Sequence, residues 1–308
     1  MKEWDIISLF YKNPGILDDA SDIPGTDQIV TTDSLAEGTH FRRDWSSPED
    51  IAIKLFHANL SDIAAGGADP LWCLLNLGLP SDTDAGFIER FARQLKHLSD
   101  EYGAPVIGGD TFLSSRFHFD LAMGGKIVRR LLRSGGRAGD SLYCTGNLGL
   151  SLAGFRSLSG MLDLPLDRQV KEEGYSSTSL FELAREKHLR PRARPEWGKK
   201  IRANPEVHAA MDISDGLVLD AHRLARASGV RLRVDLERIP VHPQLASFLT
   251  KQDAARSGEE FEILFLGEKG LSFDFPCTVI GQTEEGEAGV VFLEEGREVF
   301  IRPGFEHF

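Results

Sequence analysis

The sequence predicts an α/β (α+β) protein built as two subdomains. Three observations carry that expectation. The chain has 308 residues, 41% of them hydrophobic, enough core for roughly two domains of about 150 residues each. Runs rich in β-branched residues intermingle with amphipathic helical stretches. A segment rich in arginine and glycine, Arg129 to Asp140, separates one such set from the next and reads as a linker. The expected domains are therefore 1–137 and 138–308.

The elements follow in order. Residues 28–33 form a β-rich run that ends in polar groups, a strand delivering Asp33 at its exit. Ser47-Pro48-Glu49-Asp50 starts a helix, with a serine cap, proline at the first position and acids in the first turn. That helix stops near Gly66-Gly67 and places Asn59 and Asp62 on one face. Residues 71–79 read as a buried strand, and residues 84–102 as an amphipathic helix ending before Gly103. Val106-Ile107 is a short strand running into a Gly108-Gly109-Asp110 turn, and 117–128 suggests another strand. The second half resumes with a strand at 141–145, and Gly146 to Gly149 opens a helix at 150–158. Residues 160–178 are mixed and polar, an expected excursion. Pro191, Pro195 and Pro205 bracket a short helix, and Asp212 to Gly216 opens another, closed by Gly229. Strands follow at 230–236, 260–266, 277–282 and 289–293.

Charge and composition narrow the chemistry. A formal net charge of −12 disfavours an electrostatic grip on nucleic acid or an anionic membrane. No run approaches about 18 apolar residues, the length of a membrane span. The first ten residues lack the apolar core of a signal peptide. Cys73, Cys144 and Cys277 are far apart, without a CxxC pair, and read as reduced thiols. A cytoplasmic location is expected.

Five aspartate clusters are the strongest functional signal: Asp18-Asp19, Thr31-Thr32-Asp33, Asn59-Leu60-Ser61-Asp62, Gly108-Gly109-Asp110 and Asp212-Ile213-Ser214-Asp215-Gly216. Any one alone reads as a helix cap or a turn. Five together, each beside a small, hydroxyl or acidic residue, read as hard oxygen ligands gathered from distant segments. With no histidine or thiolate among them, they suit Mg²⁺ or Ca²⁺. Several carboxylate-held Mg²⁺ ions point to phosphate chemistry, and such ions reconcile an acidic site with an anionic substrate. The chain has neither GxxxxGK[ST] nor a strand-linked GxGxxG, so a Walker or Rossmann nucleotide site is disfavoured. Arg129, Arg130, Arg133 and Arg137 form either a solvated linker or a phosphate grip, with Arg133 favoured for the grip. His40 follows the third cluster residue Asp33 closely enough to meet substrate. Glu259, in Ser257-Gly258-Glu259-Glu260-Phe261-Glu262, reads either as a charged strand edge or as a carboxylate for a cationic or amino-bearing substrate. Phe305 either packs the C-terminus or stacks on a ring.

At these residues the chain resembles the thiamine-monophosphate kinases of the aminoimidazole-ribonucleotide-synthetase-like superfamily. The resemblance rests on Asp18-Asp19-Ala20, on Thr31 to Phe41 (TTDSLAEGTHF) and on Ala58 to Ala65 (ANLSDIAA). It extends to Gly66-Gly67-Ala68-Asp69-Pro70, Gly108-Gly109-Asp110-Thr111, Arg133-Ser134-Gly135 and Asp212 to Leu217 (DISDGL). It implies ATP-dependent phosphorylation of thiamine monophosphate to thiamine diphosphate, within thiamine biosynthesis. It also implies a homodimer joined through the first domain, with the active site between the domains. The metal ligands it implies are Asp19, Thr31, Thr32, Asp33, Asp62, Asp110, Asp212 and Asp215. Gly109, Asp110, Arg133 and Ser214 would meet ATP, and His40, Glu259 and Phe305 the thiamine phosphate. The chain departs from the family pattern at Leu17, where glycine is usual, at Glu260 in place of aspartate, and at Phe261 in place of tyrosine. The expected chemistry is in-line transfer with no assigned general base. The alternatives are an ATP-dependent ligase or synthetase of the same superfamily, and a homologue that binds nucleotide with impaired catalysis.

Overall fold

A computed structural model describes residues 6, 9–10, 18–166, 170, 172–175 and 179–304. Leu17, Phe305 and parts of the expected 160–178 excursion lie outside these residues.

The N-terminal half builds a five-stranded sheet from β1 (Ser21–Asp22), β2 (Gln28–Ala36), β3 (Ala68–Leu79), β4 (Val106–Leu113) and β5 (His118–Ile127), in the order β1-β2-β5-β3-β4. Two helices, α1 (Pro48–Ala65) and α2 (Ala85–Tyr102), lie against it. Helix α1 begins as its sequence dictates: Ser47 and Asp50 form a reciprocal capping box ahead of Pro48. Helix α2 is capped by the Asp84 side chain and ends at left-handed Gly103. Leu55, Phe56, Leu60 and Ile63 of α1 and Phe91, Leu95 and Leu98 of α2 meet Ile29, Leu121 and Met123 of the sheet in one core. Burial of each such side chain contributes about 1.5–3 kcal/mol, which fixes α1 against β2.

Two expectations for the strands are corrected. Asp33 lies inside β2, which runs three residues further to Ala36. Gly108-Gly109-Asp110 is no turn but the middle of β4, paired in parallel with β3. Glycines weaken a strand, yet this one is held at an edge by a long partner, β3.

The C-terminal half builds a seven-stranded sheet from β6 (Ser141–Thr145), β7 (Val207–Asp212), β8 (Arg231–Asp235), β9 (Ile263–Gly267), β10 (Cys277–Glu284), β11 (Gly289–Glu294) and β12 (Arg297–Val299), in the order β12-β11-β8-β10-β6-β9-β7. Its helices are α3 (Leu150–Leu158), α4 (Leu180–Leu189), α5 (Pro195–Ala203), α6 (Leu217–Ser228) and α7 (Lys251–Ala255). Leu217, Ala221 and Leu224 of α6 bury one face of the sheet against Met211, Leu232 and Leu264. Trp197 and Ile201 of α5 pack against Tyr143, Ala210 and Phe265 on the other. The expected strand at 260–266 starts later, at Ile263, because Glu259 and Phe261 take positive φ (55° and 50°) and break the extended run.

Helix α1 also packs against the C-terminal half. Gly198 of α5 packs against the backbone of Ala64, where a Cβ would stand 2.8 Å from the carbonyl oxygen. The expected linker is also more than a connection. The Arg129 guanidinium donates to the carbonyls of Arg202 (3.1 Å), Asn204 (2.6 Å) and Val207 (2.6 Å). That of Arg130 donates to Gly66 (3.1 Å), Leu131 (2.7 Å) and Ala20 (2.5 Å). Arg129 thereby ties the segment to the C-terminal half, and Arg130 ties it to the end of α1 and to Ala20.

Candidate active site

The last turns of α1 face the end of β7 and the core side of β2. Asn59 is fully buried; its Oδ1 accepts from the Asp33 N–H at 3.2 Å and its Nδ2 donates to Leu55 O. Thr31 Oγ1 stands 2.5 Å from Asp62 Oδ2 and 3.1 Å from Asp19 O. Ser61 Oγ donates to Asp212 Oδ2 at 2.7 Å, crossing from one half of the molecule to the other. The second Asp212 oxygen, Oδ1, is buried with no hydrogen-bond partner among the described residues.

Asp19, Asp62 and Asp212 thereby converge: each offers an oxygen lying within 4.8 Å of the other two. Asp33 adjoins them on β2. Burial, reinforced by the neighbouring charges of Asp215 and Asp19, pushes the Asp33 carboxyl up to about 6. Burial, then repulsion from Asp33, Asp212 and Asp19, raises Asp62 well above the carboxylate range. Burial and the Asp19 charge do the same for Asp212. Like charges this close favour protonation unless a cation offsets them. An all-oxygen set with one orphaned carboxylate oxygen fits a hard divalent cation such as Mg²⁺.

The sheet sorts the remaining predicted ligands. Thr31 and Asp33 alternate with Ile29 and Leu35 on the core face of β2, towards α1. Thr32 is exposed on the other face. Asp33 aligns across the sheet with Leu121, Leu75 and Gly109, whereas Asp110 aligns with Asn76, Asp120 and Ser34. Thr32 and Asp110 therefore lie on the face opposite to the three-carboxylate group, because successive strand residues point to opposite sides. The structure does not bring them into that group. Gly109 lies on exposed β4, three strands from β2.

Asp215 and Ser214 sit in the loop between β7 and α6. Arg223 donates to Asp215 Oδ2 at 2.5 Å and to Asp220 Oδ1 at 2.8 Å, and Asp220 Oδ2 accepts from the Asp215 N–H at 3.1 Å. Burial lifts the Asp220 carboxyl to about 7 despite Arg223. Arg133 is turned towards Asp19, donating to Oδ1 from Nη2 at 2.5 Å, while its N–H donates to Asp18 Oδ1.

The 257–262 loop zips onto this segment. The Glu259 N–H donates to Ser214 O (2.6 Å), the Phe261 N–H to Ile213 O, and the Ile213 N–H to Glu262 O. Glu259 Oε2 accepts from Lys54 Nζ of α1 at 2.7 Å. Lys54 also donates to His40 O at 3.3 Å, and His40 Nδ1 accepts from the Ala36 N–H. Glu260 caps α3. Its Oε1 accepts from the N–H groups of Gly149 and Ser151 and from Ser257 Oγ. Glu262 is fully buried between Lys187, Arg194 and Thr145. Arg194, then Lys187, holds its carboxyl down at about 2 against the burial that would raise it.

Sequence reasoning missed Lys54, Asp220, Arg223 and His188. A lysine inside the apolar run Ile51 to Leu60 was the signal for Lys54. Asp220 carried none, because an acid in the first turn of a helix is expected for the dipole alone.

The two halves correspond to the two domains of the AIR synthase related proteins. Residues 14–127 match the model of the AIR synthase related protein N-terminal domain, and residues 137–295 that of the C-terminal domain. The thiamine-monophosphate kinase of Leptospira interrogans is 38% identical over 100% of this chain and 98% of its own length. That of Aquifex aeolicus is 36% identical over 91% of this chain and 88% of its own. A solved structure, AaThiL complexed with AMPPCP and TMP, superposes with a TM-score of 0.86 and 32% identity, covering 100% of this chain and 97% of that one. The chain belongs to the AIR synthase related family, in its thiamine-monophosphate kinase branch.

Proposed function

We propose that this chain transfers the γ-phosphoryl group of ATP to thiamine monophosphate, giving thiamine diphosphate and ADP. The observation that carries the reading is the convergence of Asp19, Asp62 and Asp212 in a chain alignable end to end with thiamine-monophosphate kinases. Asp19, Thr31, Asp33, Asp62, Asp212 and Asp215 would hold Mg²⁺; Thr32 and Asp110, on the opposite face of the sheet, are left out of that set. Such ions, when bound, neutralise two mutually repelling phosphates and align them for in-line transfer.

The chain's own residues supply position. Ser61, Thr31 and Asn59 orient the Asp212, Asp62 and Asp33 segments by hydrogen bonds. Gly109, Asp110, Arg133 and Ser214 are assigned to ATP, and His40, Glu259 and Phe305 to thiamine monophosphate. No general base is assigned: a phosphate monoester, with a second pKa of about 6, is already a dianion near neutral pH. The apposed geometry itself supplies much of the rate.

The domain division proposed is 1–137 and 138–308. A homodimer is supported by β4, an edge strand paired on one side by β3, whose Val106, Ile107, Phe112 and Leu113 are all exposed. A cytoplasmic location accords with the absence, among the described residues, of any helix long and apolar enough to cross a membrane.

The test is direct: purified protein, thiamine monophosphate and ATP, with and without Mg²⁺, scored for thiamine diphosphate. Mg²⁺-dependent formation of thiamine diphosphate is the expected result. No product in the presence of Mg²⁺ refutes the reading.

A further inference from the structure

Lys54 is a buried cation that the reading above leaves without a task. Its side chain is 4% exposed, and it stands in the apolar middle of α1. Its ammonium group donates to Glu259 and to the backbone of His40, and both residues are assigned to the thiamine phosphate. Those two residues come from opposite halves of the chain.

We infer that Lys54 is a positioning residue for the ring end of the substrate, clamping Glu259 and the His40 segment into one recognition surface. This inference rests on the kinase reading and extends it.

Three observations support it. First, Glu259 holds φ at 55°, a backbone region unfavourable for glutamate that persists only where the surroundings impose it. Lys54 supplies the side-chain half of that constraint, and the Glu259 N–H bond to Ser214 O supplies the backbone half. Second, Lys54 is the cation that pairs with Glu259. The nearby His188 Nδ1 is 3.6 Å away, beyond hydrogen-bond length, and burial with the Lys54 charge keeps His188 neutral, down at about 4. A buried ion pair is weak as a source of stability, so its presence here fits a role in recognition. Third, Lys54 and Asp62 share α1 eight residues apart, about 12 Å along the axis. A ligand whose phosphate meets the carboxylates around Asp62 and which lies along α1 brings its far end to Lys54 and Glu259. In thiamine monophosphate that end is the amino-bearing pyrimidine, which a fixed carboxylate suits.

The experiment compares wild type, Lys54→Met and Lys54→Arg in the thiamine monophosphate and ATP assay. Calorimetry with thiamine monophosphate and with the thiazole phosphate fragment that lacks the pyrimidine is run in parallel. In Lys54→Met the KM for thiamine monophosphate is expected to rise roughly 10- to 100-fold, the scale of a lost charged hydrogen bond. The KM for ATP and kcat should change by less than about threefold, and Lys54→Arg should recover most of the loss. Affinity for the thiazole phosphate should be unchanged. An unaltered KM for thiamine monophosphate, or equal loss for the fragment and the whole ligand, overturns the inference while leaving the kinase reading intact. A general structural role would instead raise both KM values and lower kcat together, without rescue by arginine, and so overturns it too. If Lys54→Met does not fold, Lys54→Gln takes its place: a selective rise in the KM for thiamine monophosphate supports the inference, and no selective rise overturns it. A wild-type protein inert towards thiamine monophosphate overturns the reading and the inference with it.

Discussion

Ser61, near the end of α1, donates a 2.7 Å hydrogen bond to Asp212 at the end of β7, and both residues are buried. This contact joins the two halves of the chain at the point where the carboxylates converge. It turns one Asp212 oxygen to the serine and leaves the other, Oδ1, buried without a hydrogen-bond partner among the described residues.

That arrangement sets activity against stability. Asp62→Asn removes one of several mutually repelling carboxylates. Metal-free stability should rise by about 1–2 kcal/mol, the scale of one relieved pKa unit or slightly more. Thiamine diphosphate formation should fall about 10³-fold or further, as expected when the charge balance of a phosphoryl-transfer site is lost. Denaturant unfolding in chelator and initial rates check both. Equal stability together with full activity contradicts the assignment of Asp62.

The same repulsion fixes the sign of a pH effect. Asp33, raised from 3.8 to about 6, contributes stability fully below about 4 that is lost as pH climbs through 6. Asp62 and Asp212, also raised, act in the same direction. In chelator, the thermal midpoint should therefore drift down as pH rises from 5 to 7.5. Millimolar Mg²⁺ should flatten the drift and release protons on binding, measurable by calorimetry in buffers of different ionisation heat.

Glu262 behaves oppositely. Its carboxyl, held at about 2 by Arg194 and Lys187, contributes stability above about 4.5 that is lost as pH falls towards 2. Glu262→Gln leaves two buried cations short of a partner and should destabilise by about 3–5 kcal/mol. Urea unfolding at pH 7 measures this, and a change under about 1 kcal/mol would show that the cluster is dispensable.

Gly198 allows α5 to rest on α1. Gly198→Ala puts a methyl group 2.8 Å from Ala64 O, and overpacking of this kind costs about 1–3 kcal/mol. Because Ala64 lies two residues from Asp62, kcat should fall along with the melting temperature. An alanine variant that melts and turns over like wild type would mean that the helices part freely.

Much of this was legible in the sequence because local signals agreed with the fold. Ser47-Pro48-Glu49-Asp50 opened α1, Gly103 and Gly229 closed their helices, and 141–145 became β6. The aspartate clusters announced themselves by their small and hydroxyl neighbours, and three of them meet. What stayed hidden depends on pairing. Strand register, invisible in one segment, put Thr32 and Asp110 on the opposite face from Asp33. The glycines of β4 looked like a turn because the long partner that extends them, β3, is far away in sequence. Lys54 drew no reading from the sequence, because the residue it meets, Glu259, lies 205 residues further along the chain.

The most direct test of the carboxylate cradle is to soak crystals of the protein with Mn²⁺ and ATP and to map the anomalous signal. The account predicts a strong peak in contact with oxygens of Asp19, Asp62 and Asp212. Manganese bound elsewhere, with these three side chains left uncoordinated, would contradict it.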